Sequence, residues 1–438
     1  MFRIIIMIVV VITATTRAEA QSVKHELQAD VNRAAGMFYA RQVGKAKDTP
    51  APEGYKPFYI NNYGCPGSYY LDKTEYYKEV YAVFVKADSL HKLTPLGLDV
   101  YHRIDLLYRD AKDRGGELTA KGAWQSRALV KQLMERIPEM FKPETYYSVH
   151  SVVENRCILT MQEGLLQLSS MQQPIIARSR ASNQSIRYMA PGDEELAAQA
   201  HDSLTMARYN RFVALNSNDG RLMRALFNDQ NYVATYIDEA RLARQLFILA
   251  GNVQHTDIAG HVTLWDIFTP EEIHQHWRKQ NAWHYINFGG CSLNGGYQSY
   301  TRRAVLRNMM HMGDSIQNRK DPLVHLRYTY ENVVMSLACL MDLDGMGIHT
   351  ANLDSLEEYG WANYRIAPLG GSIDMIHYRR SMDDPDVLVK VLFNGHEAKL
   401  PIETDCAPYY HWLEVKRYYL RKLYRYENKR LNDKNKKQ

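Results

Sequence analysis

Cysteine is scarce in this sequence, and the cysteines that are present lie far apart. The five are Cys65, Cys157, Cys291, Cys339 and Cys406. Their number is odd, and no two of them are separated by only two residues. A zinc ribbon needs closely spaced cysteine pairs and a disulfide framework needs many cysteines, so the sequence supports neither.

A strong net charge and a long apolar run are also missing. The 54 Lys and Arg against 49 Asp and Glu give a net charge of +5, too small to indicate a nucleic-acid partner by itself. After residue 20, no apolar stretch approaches the ~20 residues that a membrane-spanning helix needs. With 45% hydrophobic and 24% charged residues, the composition is that of a globular protein. We therefore predict a folded mature chain without a transmembrane segment or a nucleic-acid partner.

The first 20 residues have the pattern of a secretion signal. Arg3 precedes an apolar run from Ile4 to Ile12, and Ala18-Glu19-Ala20 supplies the small residues that signal peptidase reads. The alternative, an anchoring helix, is disfavoured because the run is too short to cross a bilayer. We predict that residues 1–20 are a cleaved signal peptide and that the mature chain is periplasmic or secreted.

Strand patterns occur near both ends of the chain. Runs rich in aromatic and β-branched residues predict strands at Tyr55–Ile60, Tyr146–Val149 and Val324–Tyr328. Asp374–Arg379 predicts a further strand. A hairpin is predicted from Val387 to Pro401, with its turn at Asn394-Gly395.

Helix patterns fill the middle of the chain. Thr119 is a helix cap, and Pro138 stops that helix. Thr269 to Glu272 reads as a capping box with proline at the first helical position. Glu331 to Leu340 reads as a helix directly after a strand. We predict an α/β fold with a discontinuous core (residues 21–190 and 300–438) and an inserted α-helical cap (residues 191–299).

Several short segments, in order, resemble one known family. Gly116-Glu117-Leu118-Thr119 with Gly122, the Ser151–Met161 segment around Arg156, and Ala407-Pro408-Tyr409-Tyr410 match its pattern. The family is branch two of the histidine phosphatases, and the resemblance is to bacterial proteins similar to multiple inositol polyphosphate phosphatase. It implies a phosphoglycerate-mutase-like sheet flanked by helices, hydrolysis of phosphate monoesters, and no cofactor.

The family's defining motif, Arg-His-Gly-x-Arg, follows the first strand. Its histidine attacks phosphorus, and its two arginines hold the phosphate oxygens. In this sequence Cys65 stands at the first arginine, Pro66 at the histidine and Tyr69 at the second arginine. Proline has no nucleophilic side-chain atom, so the phosphohistidine route is closed.

The family's second motif, Leu-Arg-Phe-Gly-His-Asp or a His-Ala-Glu variant, is altered as well. Tyr330 stands at the histidine, and Glu331 keeps a carboxylate where the family has its proton donor. Arg156 is the one phosphate-binding cation that remains. The resemblance therefore implies a catalytically inactive or impaired member that acts by binding. A working phosphomonoesterase acting on inositol polyphosphates or other phosphate monoesters is the alternative.

Other residues offer no replacement chemistry. A cysteine phosphatase needs arginine six positions after its cysteine, and after Cys65 that position is Leu71. His274 and His276 are two apart on a predicted helix and so face different directions, which indicates no metal site. In the altered cleft, the tyrosines either offer faces to a phosphorylated or sugar-like molecule or simply fill the space, with their hydroxyls bonded to Arg156 and Glu331.

The last 24 residues, 415–438, are strongly basic. They hold ten Lys and Arg against two Asp and Glu. Tyr418, Tyr419, Leu423 and Tyr426 fit one face of a helix. The segment is either a solvated basic helix and tail or a binding site for an anionic partner or surface.

Overall fold

The computed structural model describes residues 23–44 and 47–436. The predicted signal peptide, residues 1–20, lies outside the described residues. Among the residues that are described, no helix is both long and apolar enough to cross a membrane.

Eight strands form one mixed sheet. Its order is β3-β2-β4-β1-β5-β6-β7, and β8 also pairs with β6. Strands β1, β2, β3 and β4 pair with one another in parallel. β5 pairs antiparallel with β1, and β6, β7 and β8 also form antiparallel pairs. The strands are β1 (Lys56–Gly64), β2 (Tyr146–Ser151), β3 (Ile176–Ala181), β4 (Leu323–Tyr328), β5 (Ser372–Arg379), β6 (Leu388–Phe393), β7 (His396–Glu397) and β8 (Tyr409–His411).

The predicted strands are all present, and two of their ends differ from the predicted ends by more than two residues. β1 continues past Ile60 to Gly64. The amide of Asn62, a residue that strands usually disfavour, donates to Asp374 Oδ1 in β5 at 2.6 Å, and this bond offsets the low strand propensity. β7 ends at Glu397, so the prediction that it continues to Pro401 was wrong. β3 was not predicted, because all six of its residues are exposed and they carry no pattern of burial.

Helices cover both faces of the sheet. The first, α1, includes residues 23–29. The others are α2 (Glu75–Ser89), α3 (Pro95–Ala111), α4 (Ala120–Arg136), α5 (Asn155–Met171), α6 (Ile186–Met189), α7 (Glu194–Ala200), α8 (Ser203–Leu215), α9 (Gly220–Leu226), α10 (Gln230–Tyr236), α11 (Glu239–Val253), α12 (Pro270–Phe288), α13 (Arg303–Ser315), α14 (Glu331–Met341), α15 (Asn363–Ile366) and α16 (Trp412–Asn435).

The predicted helix caps are confirmed. Thr119 Oγ1 accepts the backbone N–H of Gly122 at 3.1 Å at the start of α4. At the start of α12, Thr269 and Glu272 make both bonds of a capping box. These bonds satisfy backbone N–H groups that a helix start otherwise leaves unpaired.

Residues 191–299 contain α7 to α12 and none of the eight strands. Most of their buried apolar residues form one cluster with α2 and α3, which precede them by about a hundred residues in the chain. Gly97 in α3 lies so close to α9 that a Cβ there would come 2.0 Å from the carbonyl oxygen of Leu226. The helical layer is therefore built from two separate parts of the sequence.

Candidate functional site

The loop after β1 carries the first altered motif, and its backbone is held from three sides. Cys65 N–H donates to Gly371 O at 2.7 Å, and Gly370 N–H donates to Pro66 O at 2.7 Å. Gly67 N–H donates to the Thr160 hydroxyl oxygen in α5 at 3.0 Å. Cys65, Pro66 and Gly67 therefore form a loop whose backbone is fixed by hydrogen bonds.

The Gly-Glu-Leu-Thr turn before α4 rests on this same loop. A Cβ on Gly67 would come 2.6 Å from Gly122 O, and one on Gly122 would come 2.1 Å from Ser68 O. Thr119 N–H also donates to Ser68 O at 3.0 Å. Glycine is required at both positions because two backbone segments pass here without room for a side chain.

The second altered motif lies directly beside the first. β1 and β4 pair in parallel with Gly64 opposite Tyr328, and Thr329 N–H donates to Gly64 O at 2.9 Å. β1 and β4 are therefore neighbours in the sheet. Tyr330 and Glu331 follow at the same edge of the sheet, where α14 begins. Ligands bind at this edge, the carboxyl ends of parallel strands, in open α/β sheets.

Arg156 reaches this edge from the first turn of α5, which follows β2. The centre of its guanidinium lies 4.8 Å from the ring centre of Tyr69 and 5.6 Å from that of Tyr330. Its Nη1 donates to Asp72 Oδ1 at 2.7 Å and lies 3.5 Å from Glu154 Oε2. The side chain is only 8% exposed. Arg156 is thus enclosed by two rings and two carboxylates.

Neither tyrosine offers an anion to the site. Burial raises the pKa of Tyr69 well above its usual value, and the neighbouring Glu331 raises it further. Burial, followed by the nearby Glu154, raises the pKa of Tyr330 to about 12. The Tyr330 hydroxyl donates to Glu154 Oε1 at 3.3 Å. Both phenols therefore stay protonated and pack as neutral rings.

The Cys65 thiol is also protonated. Burial raises its pKa well above the usual value, and Glu331 adds to that effect. Only the thiolate is a good nucleophile, so the Cys65 thiol is not activated for nucleophilic attack. Leu71, at the position that a cysteine phosphatase gives to arginine, is buried and apolar.

Glu331 is buried beside Arg156, and its Oε1 has no hydrogen-bond partner among the described residues. Burial raises the pKa of this carboxyl, and Arg156 offsets that rise only in part. The immediate surroundings of Arg156 thus hold one cation and three carboxyl groups, those of Asp72, Glu154 and Glu331. A phosphate site needs the opposite balance of charge.

Two residues of this cluster were not predicted from the sequence. Glu154 lies two positions before Arg156, inside the segment that carries the family resemblance, so its place in the chain was a usable signal. Asp72 follows Tyr69 by three residues in an irregular segment that has no motif.

The two histidines of α12 do face different partners, since His274 bonds Glu357 at 2.9 Å and His276 lies 3.2 Å from Asp219.

We predict that Glu331→Gln stabilises the protein at neutral pH. A carboxyl whose folded-state pKa is raised binds its proton more tightly when folded, so stability falls as pH rises from the unfolded pKa to the folded pKa. Glutamine removes this loss, and we expect a gain of about 1–3 kcal/mol in unfolding free energy at pH 7. Below the usual pKa of 4.5 the gain should vanish.

Chemical denaturation of both proteins across this pH range measures the effect. Glu135→Gln is the matched control, because Glu135 is exposed and its ion pair is with Lys131 of the same helix. A Glu331→Gln variant that is less stable than wild type at pH 7 would contradict the prediction.

Comparisons with known proteins show which solved structures share this fold. No protein-family model matches the chain, and no curated protein matches it. Solved structures do match. The multiple inositol polyphosphate phosphatase of Bifidobacterium longum, solved with inositol hexasulfate, aligns with a TM-score of 0.73 at 13% identity, over 88% of this chain and 97% of that one. The chain has the histidine acid phosphatase fold.

Two phytases share the histidine acid phosphatase fold with this chain. The phytase from D. castellii aligns with a TM-score of 0.63 at 12% identity, over 90% of this chain and 84% of that one. The apo phytase of Hafnia alvei aligns with a TM-score of 0.52 at 12% identity, over 85% of this chain and 98% of that one. The predicted fold class is confirmed.

Proposed function

We propose that this chain is an exported protein with the histidine acid phosphatase fold that has lost phosphatase activity and acts by binding a ligand. The observation that carries the proposal is the composition of the strand-end site. Pro66 stands at the position of the nucleophile, and the retained Arg156 is enclosed by three carboxyl groups.

The energetic argument is one of charge. Phosphoryl transfer depends mainly on positioning and on charge stabilisation. Charge-assisted hydrogen bonds contribute roughly 1.5–3 kcal/mol each, so replacing two arginines by Cys65 and Tyr69 removes about 3–6 kcal/mol of phosphate binding. The carboxyl groups beside Arg156 add repulsion to that loss.

The surroundings of Arg156 support the interpretation that the tyrosines fill the cleft. A phosphorylated or sugar-like molecule in the cleft would have to displace the Tyr330 ring and break its hydroxyl bond to Glu154. It would also compete with Asp72, which already binds Arg156 at 2.7 Å. We therefore place the ligand elsewhere.

A groove along α16 is the better candidate. Its volume is about 480 Å³, and it is lined by tyrosine rings and cations only: Tyr297, Tyr300, Tyr418, Arg421, Lys422, Arg425, Tyr426 and Lys429. The helix itself packs against the core through Trp412, Val415, Tyr419, Leu423 and Tyr426. Tyr418, predicted on the same face, is instead partly exposed. The basic segment is thus anchored, and its cations lie at fixed positions.

Two of these cations are available to a ligand. Arg421 and Arg425 are exposed, lie one helical turn apart and have no acidic partner among the described residues. Like charges at this spacing repel each other, and an anion between them relieves that repulsion. Lys422 instead donates to Leu340 O at 2.8 Å, and Lys429 lies 3.5 Å from Asp433. We propose that the groove binds a multiply phosphorylated sugar-like compound, with its ring against the tyrosines.

We expect the mature chain to bind inositol hexakisphosphate in titration calorimetry. The Arg421→Glu/Arg425→Glu variant should bind it with an affinity at least about a hundredfold lower, since each arginine contributes roughly 1.5–3 kcal/mol. Arg208→Glu/Arg211→Glu is the matched control, because it makes the same change of charge at two exposed arginines of α8. Truncation before Val415 is a poor test, since it removes buried side chains.

An equal loss of affinity in both double variants would show that only overall charge matters and would overturn the proposal that the groove binds the ligand. Loss in Arg156→Met with binding kept in Arg421→Glu/Arg425→Glu would place the ligand in the cleft. The same compound displayed on an anionic lipid surface, tested in a vesicle sedimentation assay, distinguishes a membrane-borne ligand from a free one.

A working phosphomonoesterase is the second candidate. Arg156 and Glu331 favour it, because a cation and a carboxyl with a raised pKa are retained at the strand ends. A protonated carboxyl can act as a general acid. Without a nucleophile at Pro66, however, the acid has no phosphohistidine reaction to assist.

Export is proposed on the pattern of residues 1–20 alone. We expect the protein to accumulate outside the cytoplasm with Gln21 as its first residue. Mass spectrometry of the intact chain from the periplasm or medium measures this. A full-length chain that stays with the membrane fraction would contradict cleavage.

A further inference from the structure

A second cluster of reactive side chains lies at the opposite end of the sheet from the strand-end site. His411 in β8 pairs with Leu388 in β6, which pairs with Tyr378 in β5, which pairs with Pro57 near the start of β1. Ligand atoms of Asp405, Cys406 and His411 all lie within 4.8 Å of one another. Among the described residues, no other group of three His, Cys, Asp or Glu side chains is this close.

The imidazole of His411 lies between two carboxylates. Its Nδ1 is 2.8 Å from Asp386 Oδ1, and its Nε2 is 3.1 Å from Asp405 Oδ1. Asp386 is itself held, because the Tyr55 hydroxyl donates to its other oxygen at 2.6 Å. The bond from Nδ1 to a fixed carboxylate orients the imidazole so that Nε2 lies beside Asp405 and Cys406, where Nε2 can bind a metal ion once it releases its proton. Histidines that bind metals have this arrangement.

Cys406 supplies a sulfur on the same side. Its Sγ lies 3.4 Å from the hydroxyl oxygen of Thr404 and 3.4 Å from Tyr409 O. The other four cysteines are buried, whereas Cys406 is partly exposed. The thiol therefore has access to solvent, to which it can release its proton when a metal binds.

We propose that Asp405 Oδ, Cys406 Sγ and His411 Nε2 bind a Zn²⁺ ion, with Asp386 as a positioning residue behind the histidine. The thiolate and the imidazole favour zinc over magnesium or calcium, which prefer oxygen ligands. Ligands at ~2.0–2.3 Å from a tetrahedral ion lie about 3.3–3.7 Å from one another, so the cluster needs to contract by only about 1 Å. Water completes the fourth position.

The charges around the cluster suit a cation. Asp386, Asp405 and a Cys406 thiolate are anionic, and the Asp405 side chain is 82% exposed, so an ion can enter without moving the fold. Arg380 opposes this charge, with its Nη2 3.7 Å from Asp386 Oδ2. Arg380 is engaged by Asp384 as well, which lessens its effect. The competing explanation is a plain ion pair between His411 and Asp405.

Titration of the reduced, metal-free mature chain with Co²⁺ distinguishes a metal site from a plain ion pair. We expect one equivalent to bind with tetrahedral d–d absorption and a thiolate-to-cobalt charge-transfer band, and Zn²⁺ to displace it. Cys406→Ser should lose the charge-transfer band. Asp405→Asn, which changes an exposed side chain and so leaves folding intact, should weaken binding by at least about tenfold.

Asp386→Asn tests the positioning role. It should lower metal affinity by about 10–100-fold while keeping the charge-transfer band, since all three ligands remain. Asp383→Asn is its control, because Asp383 is an exposed aspartate of the same loop that makes no contact with His411. Absence of stoichiometric binding, a band that survives Cys406→Ser, or equal effects of Asp386→Asn and Asp383→Asn would each overturn the site.

Discussion

The purified mature chain should release no phosphate from p-nitrophenyl phosphate or phytate above the buffer background between about pH 4 and pH 8. Pro66 has no side-chain atom that can attack phosphorus. In another hydrolase, losing the nucleophile lowers turnover on the order of 10⁶-fold. Cys65 and Tyr69 carry no positive charge that could hold phosphate, and the buried Cys65 thiol stays protonated. We therefore expect no phosphatase activity that a colorimetric assay can detect.

A histidine acid phosphatase with an intact motif, assayed in parallel, is the positive control. A trace of contaminating phosphatase is recognised because it persists in Arg156→Met. Hydrolysis that disappears in Arg156→Met, with the variant still folded, would prove catalysis from this site and would favour the working phosphomonoesterase.

Arg156→Met should lower the free energy of unfolding by about 3–5 kcal/mol at pH 7, the usual cost of removing one partner from a buried charge cluster. The side chain is almost fully buried and is the cation nearest to Asp72, Glu154 and Glu331. Removing it leaves a buried carboxyl without compensation. Below about pH 4, where Glu331 is protonated, we expect a smaller loss.

Denaturant unfolding at the two pH values measures this effect. Arg109→Met is the control, since its side chain is 73% exposed and its ion pair with Asp105 should contribute only about 0–1 kcal/mol. Glu331→Gln in the Arg156→Met background should recover part of the loss. A loss below about 1 kcal/mol at pH 7 would mean that Arg156 does not stabilise the carboxyl groups around it.

Much of the sheet could be predicted because its strands are marked locally. β4, β5 and β6 each follow turn residues and are rich in aliphatic and aromatic residues, and a close backbone contact leaves no room for a side chain at Gly67 and Gly122. β3 could not be predicted, because an exposed edge strand is held by backbone bonds to β2 and not by buried side chains. Its pairing depends on a neighbour that local sequence does not reveal.

The candidate site was predictable in part for the same reason. The resemblance to the histidine phosphatases pointed to Pro66, Tyr69, Arg156 and Tyr330, which follow strands β1, β2 and β4 at one end of the sheet. Asp72 was not predictable, because its bond to Arg156 joins residues 84 positions apart. The groove of α16 likewise depends on Tyr297 and Tyr300, which lie more than a hundred residues before it. Helical periodicity identified the buried face of α16 but not what covers its other side.

The position of β1 in the sheet also determines when this protein can fold. β1 is an early strand, yet Tyr59 pairs with Leu323 and Asn61 with Met375, so both of its neighbours come from the last third of the chain. Contacts of such long sequence separation form slowly because of the loop-closure entropy they require. The growing chain must carry β1 as an unpaired apolar segment through most of its synthesis. A chain that stops short of β4 therefore lacks the centre of its sheet.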